Sequence, residues 1–206
     1  MITKFLSRWL PLLGFAGSRQ YWERRYRLGG DSGHGSEGDA ARYKASVLNR
    51  FVEEHDIQTV IEFGCGDGRQ LQLARYPRYV GIDVSRAAVE RCSTHFADDQ
   101  GKAFVLLDHY DGQRADLGLS LDVLFHLVED DVYSAYLKTL FAAGLAYVVV
   151  YSTTTERAPR TLRHVRHRDV SGGRVPADDH GVPARGAGER RQAGYVVVGC
   201  WLSVVG

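Results

Sequence analysis

Val60-Ile61-Glu62-Phe63-Gly64-Cys65-Gly66-Asp67-Gly68 decides the fold. The run Thr59 to Phe63 is short, mostly apolar and rich in β-branched residues, and a glycine turn ends it, which is the pattern of a buried strand. Glycines directly after a strand permit positive φ and let a ligand approach the backbone with no Cβ in the way. Upstream, Ala40, Tyr43, Val47, Leu48, Phe51 and Val52 recur near helical spacing, predicting an amphipathic helix from Asp39 to His55. Downstream, Gln70 to Tyr76 is helical in pattern. Tyr79 to Asp83 reads as a second strand, and Ser85 to Phe96 as a helix with Ser85 at its N-cap. Ala103 to Asp108 and Ala115 to Leu121 are strands, Asp131 to Ala143 a helix and Tyr147 to Ser152 a fifth strand. Strands and helices alternating at this spacing predict an α/β fold. Its core is a doubly wound, mostly parallel Rossmann-like sheet with helices on both faces.

Composition narrows the class. The chain has 206 residues, 44% hydrophobic and 25% charged, enough to bury a core, which excludes a disordered or disulfide-stapled protein. A formal charge of +1 gives no overall footprint for nucleic acid. Cys65, Cys92 and Cys200 form no CxxC pair and the histidines are scattered, so no metal site is expected and a reducing cytoplasm is the simplest location.

The N-terminal stretch Phe5 to Phe15 is apolar but interrupted by Arg8 and Pro11, too short for a membrane span and poor as a signal peptide. Lys4, Arg8, Arg19, Arg24, Arg25 and Arg27 stand against Glu23 alone. Residues 1–19 therefore read either as a weak contact for an anionic membrane surface or as a short helix capping the domain, the blander and favoured account. Gly29 to Gly38 is a mobile loop by composition and a candidate lid. The expected division is 1–38 for the N-terminal segment and lid, 39–168 for the nucleotide-binding domain, and 169–206 for an atypical tail. After His164-Val165-Arg166-His167-Arg168 the chain shifts abruptly to Gly, Val, Ala and Arg, as a GC-rich gene read out of frame would. That predicts a mobile stretch over 169–194 and a fifth strand with an incompletely covered outer edge.

Chemistry concentrates at the strand ends. In a doubly wound sheet, ligands bind beyond the carboxyl ends of the strands. Asp83, ending the second strand, is placed to accept hydrogen bonds from ribose hydroxyls, and Asp108, ending the third, from an adenine amino group. The loop spacing is G-x-G-x-G rather than the G-x-G-x-x-G of pyrophosphate loops, and Glu62 beside it repels phosphate but suits an ammonium group. A ligand with an adenosine end and a cationic amino-acid end satisfies all three acids. S-adenosylmethionine is that ligand.

The quoted stretch, with Gly81-Ile82-Asp83-Val84-Ser85 and Leu119-Ser120-Leu121-Asp122-Val123-Leu124-Phe125-His126-Leu127, resembles the class I S-adenosylmethionine-dependent methyltransferases. The resemblance covers residues 21–152, and Tyr21-Trp22-Glu23-Arg24-Arg25-Tyr26 is similar to a bacterial subgroup. It implies that Glu62 with Gly64, Gly66 and Gly68 holds the methionine part, Asp83 the ribose and Asp108 the adenine, with Cys65 and Val84 also among the cofactor-binding residues. Ser120 and Leu121 would line the cofactor. Asp122 and His126, four apart and able to share a helical face, are candidates for orienting the acceptor or taking its proton. No Asn/Asp-Pro-Pro-aromatic segment follows the fourth strand, so a small-molecule or saccharide acceptor remains by elimination. A nicotinamide-dependent oxidoreductase and a non-catalytic cofactor-binding protein are the competing readings.

Overall fold

The computed structural model describes residues 17–153 and 194–200. Among the described residues six strands run in parallel: β1 (Thr59–Phe63), β2 (Arg78–Asp83), β3 (Lys102–Leu106), β4 (Ala115–Leu121), β5 (Gly144–Thr153) and β6 (Gly194–Cys200). Their order across the sheet is β3-β2-β1-β4-β5-β6, so β1 and β4 meet at the centre, where the winding reverses. Among the described residues four α-helices accompany them: α1 (Ser18–Arg27), α2 (Gly38–Glu54), α3 (Arg86–His95) and α4 (Asp130–Ala143). This is the doubly wound α/β fold read from the sequence.

Strand alternation sorts the core into two layers. Val60, Leu117, Leu119 and Val149 pack with Leu48, Phe51 and Val52 of α2 and Cys92 of α3. Ile61, Phe63, Val148 and Val150 point the other way, onto Tyr133, Leu140 and Ala143 of α4. Each central strand is thus buried on both faces, as near-continuous apolar runs require. Ser85 caps α3 as expected, its hydroxyl accepting from the Ala88 amide at 3.2 Å.

Two expectations are corrected. The segment after the glycine loop is not an α-helix; only Leu71–Leu73 turns, as one 3-10 turn, and Ala74 is already extended. Pro77 disfavours helical backbone at Tyr76. Asn49 of α2 takes over the missing hydrogen bonds, donating to the Leu73 carbonyl at 2.9 Å and accepting from the Arg75 amide at 2.8 Å. At the other end, β6 pairs with Tyr147–Thr153 of β5, so that edge is covered and 194–200 is a strand of the sheet. The predicted mobility of 169–193 and the boundary near Arg168 lie outside the described residues, as do residues 1–16.

Helix α1 lies across the carboxyl ends of the strands. The Ser18 hydroxyl donates to the His126 carbonyl at 2.8 Å, and its amide donates to Glu129 at 2.8 Å. Farther along, Glu23 accepts from the Ser85 hydroxyl at 2.7 Å, and Arg91 donates to the Tyr26 carbonyl at 3.0 Å. Residues 18–27 therefore pack on the domain, while the capping or membrane-surface reading of the segment before them lies outside the described residues. Among the described residues, no helix is long and apolar enough to cross a membrane.

Candidate active site

Beneath α1, over the ends of β1, β2 and β4, lies a cavity of about 510 Å³. Glu62, the penultimate residue of β1, reaches it from the α2 side of the sheet. The Tyr79 hydroxyl donates to its carboxylate at 2.7 Å. Burial pushes Glu62 up to about 7, outweighing the downward pull of that hydrogen bond and of Lys44. Asp83, at the end of β2, accepts from the amides of Gly66 at 2.9 Å and Ser85 at 2.8 Å. Burial nonetheless carries it up to about 6.

Gly66 adopts φ +60, and a Cβ there would run into the Ser32 hydroxyl and the Tyr26 phenol, so the loop must be glycine to deliver its amide to Asp83. Gly64, at φ +85, lies so close to Val123 that no side chain fits between β1 and the turn after β4.

The acid following β4 is in an unusual state. Asp122 has φ +59, the left-handed region that non-glycine residues seldom occupy. Its carboxylate sits 2.5 Å from Nζ of Lys44, whose side chain is 1% exposed. Lys44 Nζ also lies 5.0 Å from the centre of the Tyr151 ring. A Cβ on Gly35 would come within 2.6 Å of the same carboxylate, so the glycine-rich loop packs directly on it.

That loop, read from sequence as mobile, is tied to the glycine motif. The Ser32 hydroxyl donates to Asp67 at 2.8 Å and its amide donates at 3.1 Å. Arg25 grips Asp31 at 2.8 Å, and Arg69 reaches both Asp31 and Glu37.

The cavity brings together Glu62, Gly64, Cys65, Asp83, Val84, Leu121, Asp122 and His126 of the sequence candidates. The remaining four are placed elsewhere. Gly66 acts through its amide on Asp83, and Gly68 packs on Phe96 and Cys92. Ser120 is fully buried and receives the Tyr136 hydroxyl at 2.7 Å. Asp108, half exposed in the turn after β3, forms a two-pronged ion pair with Arg19 of α1, and its neighbour Leu107 lines the cavity instead. Asp122 and His126 do not share a helical face, because Leu124–His126 is one 3-10 turn entered from a left-handed residue. The His126 ring stands edge-on to Trp22, with centres 4.8 Å apart.

Sequence reasoning missed Lys44 and Gln70. Lys44 interrupts the apolar stripe Ala41, Ala45, Leu48, Val52 of α2, and a lone cation on a core-facing stripe was the available signal. Gln70 donates from Nε2 to the Ala41 carbonyl at 3.1 Å, which fixes its amide orientation. Its Oε1 is then buried beside the cavity with no partner, a state that costs about 1–3 kcal/mol unless a ligand donor fills it. Among the described residues, no three His, Cys, Asp or Glu side chains gather as a metal site.

Comparison with known proteins bears on the fold that carries this cavity. Residues 61–141 match the model of a methyltransferase domain family. The magnesium protoporphyrin IX methyltransferase ChlM of Synechocystis PCC 6803 is 15% identical. It matches over 76% of this chain and 82% of its own, with a TM-score of 0.54. The N-methyltransferase NodS of Bradyrhizobium japonicum WM9 is 18% identical, over 63% of this chain and 69% of its own, with a TM-score of 0.53. The methyltransferase domain of bacterial CtHen1 is 20% identical with a TM-score of 0.44; the match covers 50% of this chain and 60% of that domain. At these identities the likeness is one of fold. No curated protein matches the chain.

Proposed function

We propose that this chain, whose residues 61–141 match the model of a methyltransferase domain, transfers a methyl group from S-adenosylmethionine to a small-molecule or saccharide acceptor. One observation carries the reading. Three carboxylates (Glu62, Asp83 and Asp122) and one buried ammonium (Lys44) face a single cavity at the centre of the sheet's carboxyl edge. An excess of negative charge under low dielectric favours a ligand with net positive charge that also carries an anionic group. A sulfonium, an α-ammonium and a carboxylate on one adenosine-bearing molecule match that set, whereas the pyrophosphate of a nicotinamide cofactor would bring further negative charge to a cavity where carboxylates already outnumber the buried ammonium.

The residues present fit the cofactor. Asp83 would take the ribose hydroxyls, Lys44 the carboxylate, and Glu62 with the unpaired Gln70 Oε1 the ammonium. Asp108 is committed to Arg19, so the adenine is left to the apolar faces of Val84 and Leu107. When bound, S-adenosylmethionine supplies an already activated methyl group on a cationic sulfur.

The protein's own share is alignment and exclusion of water. Helix α1 and the Gly29–Gly38 loop roof the cavity, and Trp22 and Tyr26 present aromatic walls. Asp122 is neutralised by Lys44, which leaves His126, on the same wall as Trp22, to take the acceptor's proton where one must leave. A cavity of about 510 Å³ falls in the ~300–1,000 Å³ range of sites for small ligands.

Calorimetry with S-adenosylhomocysteine and with reduced nicotinamide dinucleotide tests the cofactor. A screen of hydroxyl and amino acceptors with labelled methyl donor then tests turnover. Binding of the nicotinamide alone would overturn the reading. Cofactor binding without transfer to any acceptor class would reduce the protein to a binding module.

A further inference from the structure

The cavity has two unlike halves. Lys44, Glu62, Asp83 and Asp122 gather in one, close enough for the other three to act on the Glu62 carboxyl. The other half is walled by Phe63, Leu127 and one face of α4, where Val132, Ala135, Tyr136 and Thr139 recur at i, i+3, i+4 and i+7. None of these six is charged. Val132, 42% exposed, stands at the rim, so the way in past α4 is apolar as well.

The hydroxyls of the lining are already spent inside the protein. That of Tyr136 lies between the Phe63 carbonyl, at 2.9 Å, and the Ser120 hydroxyl, at 2.7 Å. Thr139 donates to the Ala135 carbonyl at 2.9 Å and Tyr110 to the Gln113 carbonyl at 2.7 Å. In the roof, Ser18 donates to the His126 carbonyl at 2.8 Å, Tyr26 is bonded to Ser32 at 3.0 Å, and Arg19 is committed to Asp108. Among the described residues, the one lining hydroxyl left without a protein partner is that of Ser36, next to the Gly35 that packs on Asp122 in the charged half.

We propose that the acceptor is a planar, largely apolar molecule with one nucleophilic hydroxyl, a phenol and not a saccharide, seated against α4 beneath Trp22. This rests on the cofactor reading, which commits the charged half to S-adenosylmethionine and leaves the apolar half to the acceptor. A phenol brings aromatic surface to the rings of Trp22, Phe63 and Tyr136. A sugar brings several hydroxyls to walls whose side chains have no donor or acceptor to spare, and each one buried without a partner weakens binding roughly 5- to 150-fold. Chemistry points the same way. The acceptor oxygen forms its bond to the methyl carbon as the sulfur–methyl bond breaks, the electron pair of that bond returns to sulfur, and the hydroxyl proton passes to His126. A phenolic proton, with a pKa of about 10, is within reach of a histidine base, and an aliphatic hydroxyl is far less acidic.

The experiment titrates 2-naphthol and methyl glucoside, by calorimetry, into the protein saturated with S-adenosylhomocysteine, and then measures kcat/KM for both with labelled methyl donor. Naphthol should bind and react about 100-fold better, the worth of three unpartnered sugar hydroxyls at about fivefold each. Val132→Asp places an acid in the first turn of α4, where the helix tolerates one, and Ala135→Phe fills the groove from an exposed position. Each should weaken naphthol about tenfold while the affinity for S-adenosylhomocysteine and the melting temperature stay as they are. Lys138→Gln, an exposed charge of α4 away from the cavity, should change neither ligand. Glucoside binding as tight as naphthol, no naphthol binding to the S-adenosylhomocysteine complex, or a naphthol affinity indifferent to both α4 variants would overturn the proposal. Failure of S-adenosylhomocysteine itself to bind, read in the first titration, would instead remove the cofactor reading and this one with it.

Discussion

Raising the pH should tighten the binding of S-adenosylhomocysteine, and Glu62 and Asp83 set the size of the effect. Burial holds Glu62 at about 7 and Asp83 at about 6, both above their ordinary values. A cationic ammonium calls for the ionised form of Glu62, and ribose hydroxyls donate best to an ionised Asp83. At pH 6 roughly a tenth of Glu62 and half of Asp83 carry charge, and at pH 8 nearly all of both do. Affinity should therefore rise roughly twentyfold between those values, or about 1.8 kcal/mol, with proton release on binding.

The ligand-free protein should show the opposite trend. A carboxylate whose pKa is raised by folding binds more protons in the native than in the unfolded state. Stability therefore falls as pH climbs from the unfolded values near 4 through the folded values of about 6 and 7. Isothermal calorimetry from pH 6 to 8 in buffers of different ionisation enthalpy measures the first trend, and urea denaturation the second. Glu62→Gln keeps the shape and should remove most of the slope. A flat affinity profile in the wild type, or an unchanged slope in both Glu62→Gln and Asp83→Asn, would refute the assignment of these groups to the ligand.

Further outcomes follow from the same geometry. Asp83→Ala should weaken S-adenosylhomocysteine by about 2–3 kcal/mol, since hydrogen bonds to a charged acceptor are worth ~1.5–3 kcal/mol, and titration calorimetry reads it directly. Lys44→Met should cost about 2–3 kcal/mol in urea denaturation, below the ~3–5 kcal/mol of a fully buried pair because Asp122 keeps 21% of its side-chain exposure. Asp122→Asn in the same background should recover part of that loss. Gly35→Ala would push a methyl to within 2.6 Å of the Asp122 carboxylate, so it should lift the loop and weaken the ligand more than it lowers the melting temperature. Ligand should slow hydrogen exchange over residues 21–38, and equal exchange with and without it would make the loop a plain connection.

What the sequence disclosed and what it hid divide along one physical line. The order of strands and helices was legible because periodicity is local: Val60, Ile61 and Phe63 alternate faces within one strand, and the α2 stripe recurs within one helix. Glu62 and Asp83 could be placed for the same reason, since an acid closing an apolar strand emerges at the carboxyl edge whatever its neighbours do. Asp108 follows the same local rule, yet Arg19, distant in sequence, turns it outward. The stretch from Gln70 to Tyr76 has helical spacing, but Pro77 and the side chain of Asn49 override it. Lys44 left a signal as a lone cation on the core-facing stripe of α2, but its pairing was hidden, because Asp122 is remote in sequence and sits on a left-handed backbone that no pattern announces. Pairwise electrostatics between remote residues therefore bears on which strand-end acids face the cavity, and the charge left over after that pairing is what the ammonium and sulfonium of the proposed cofactor would meet.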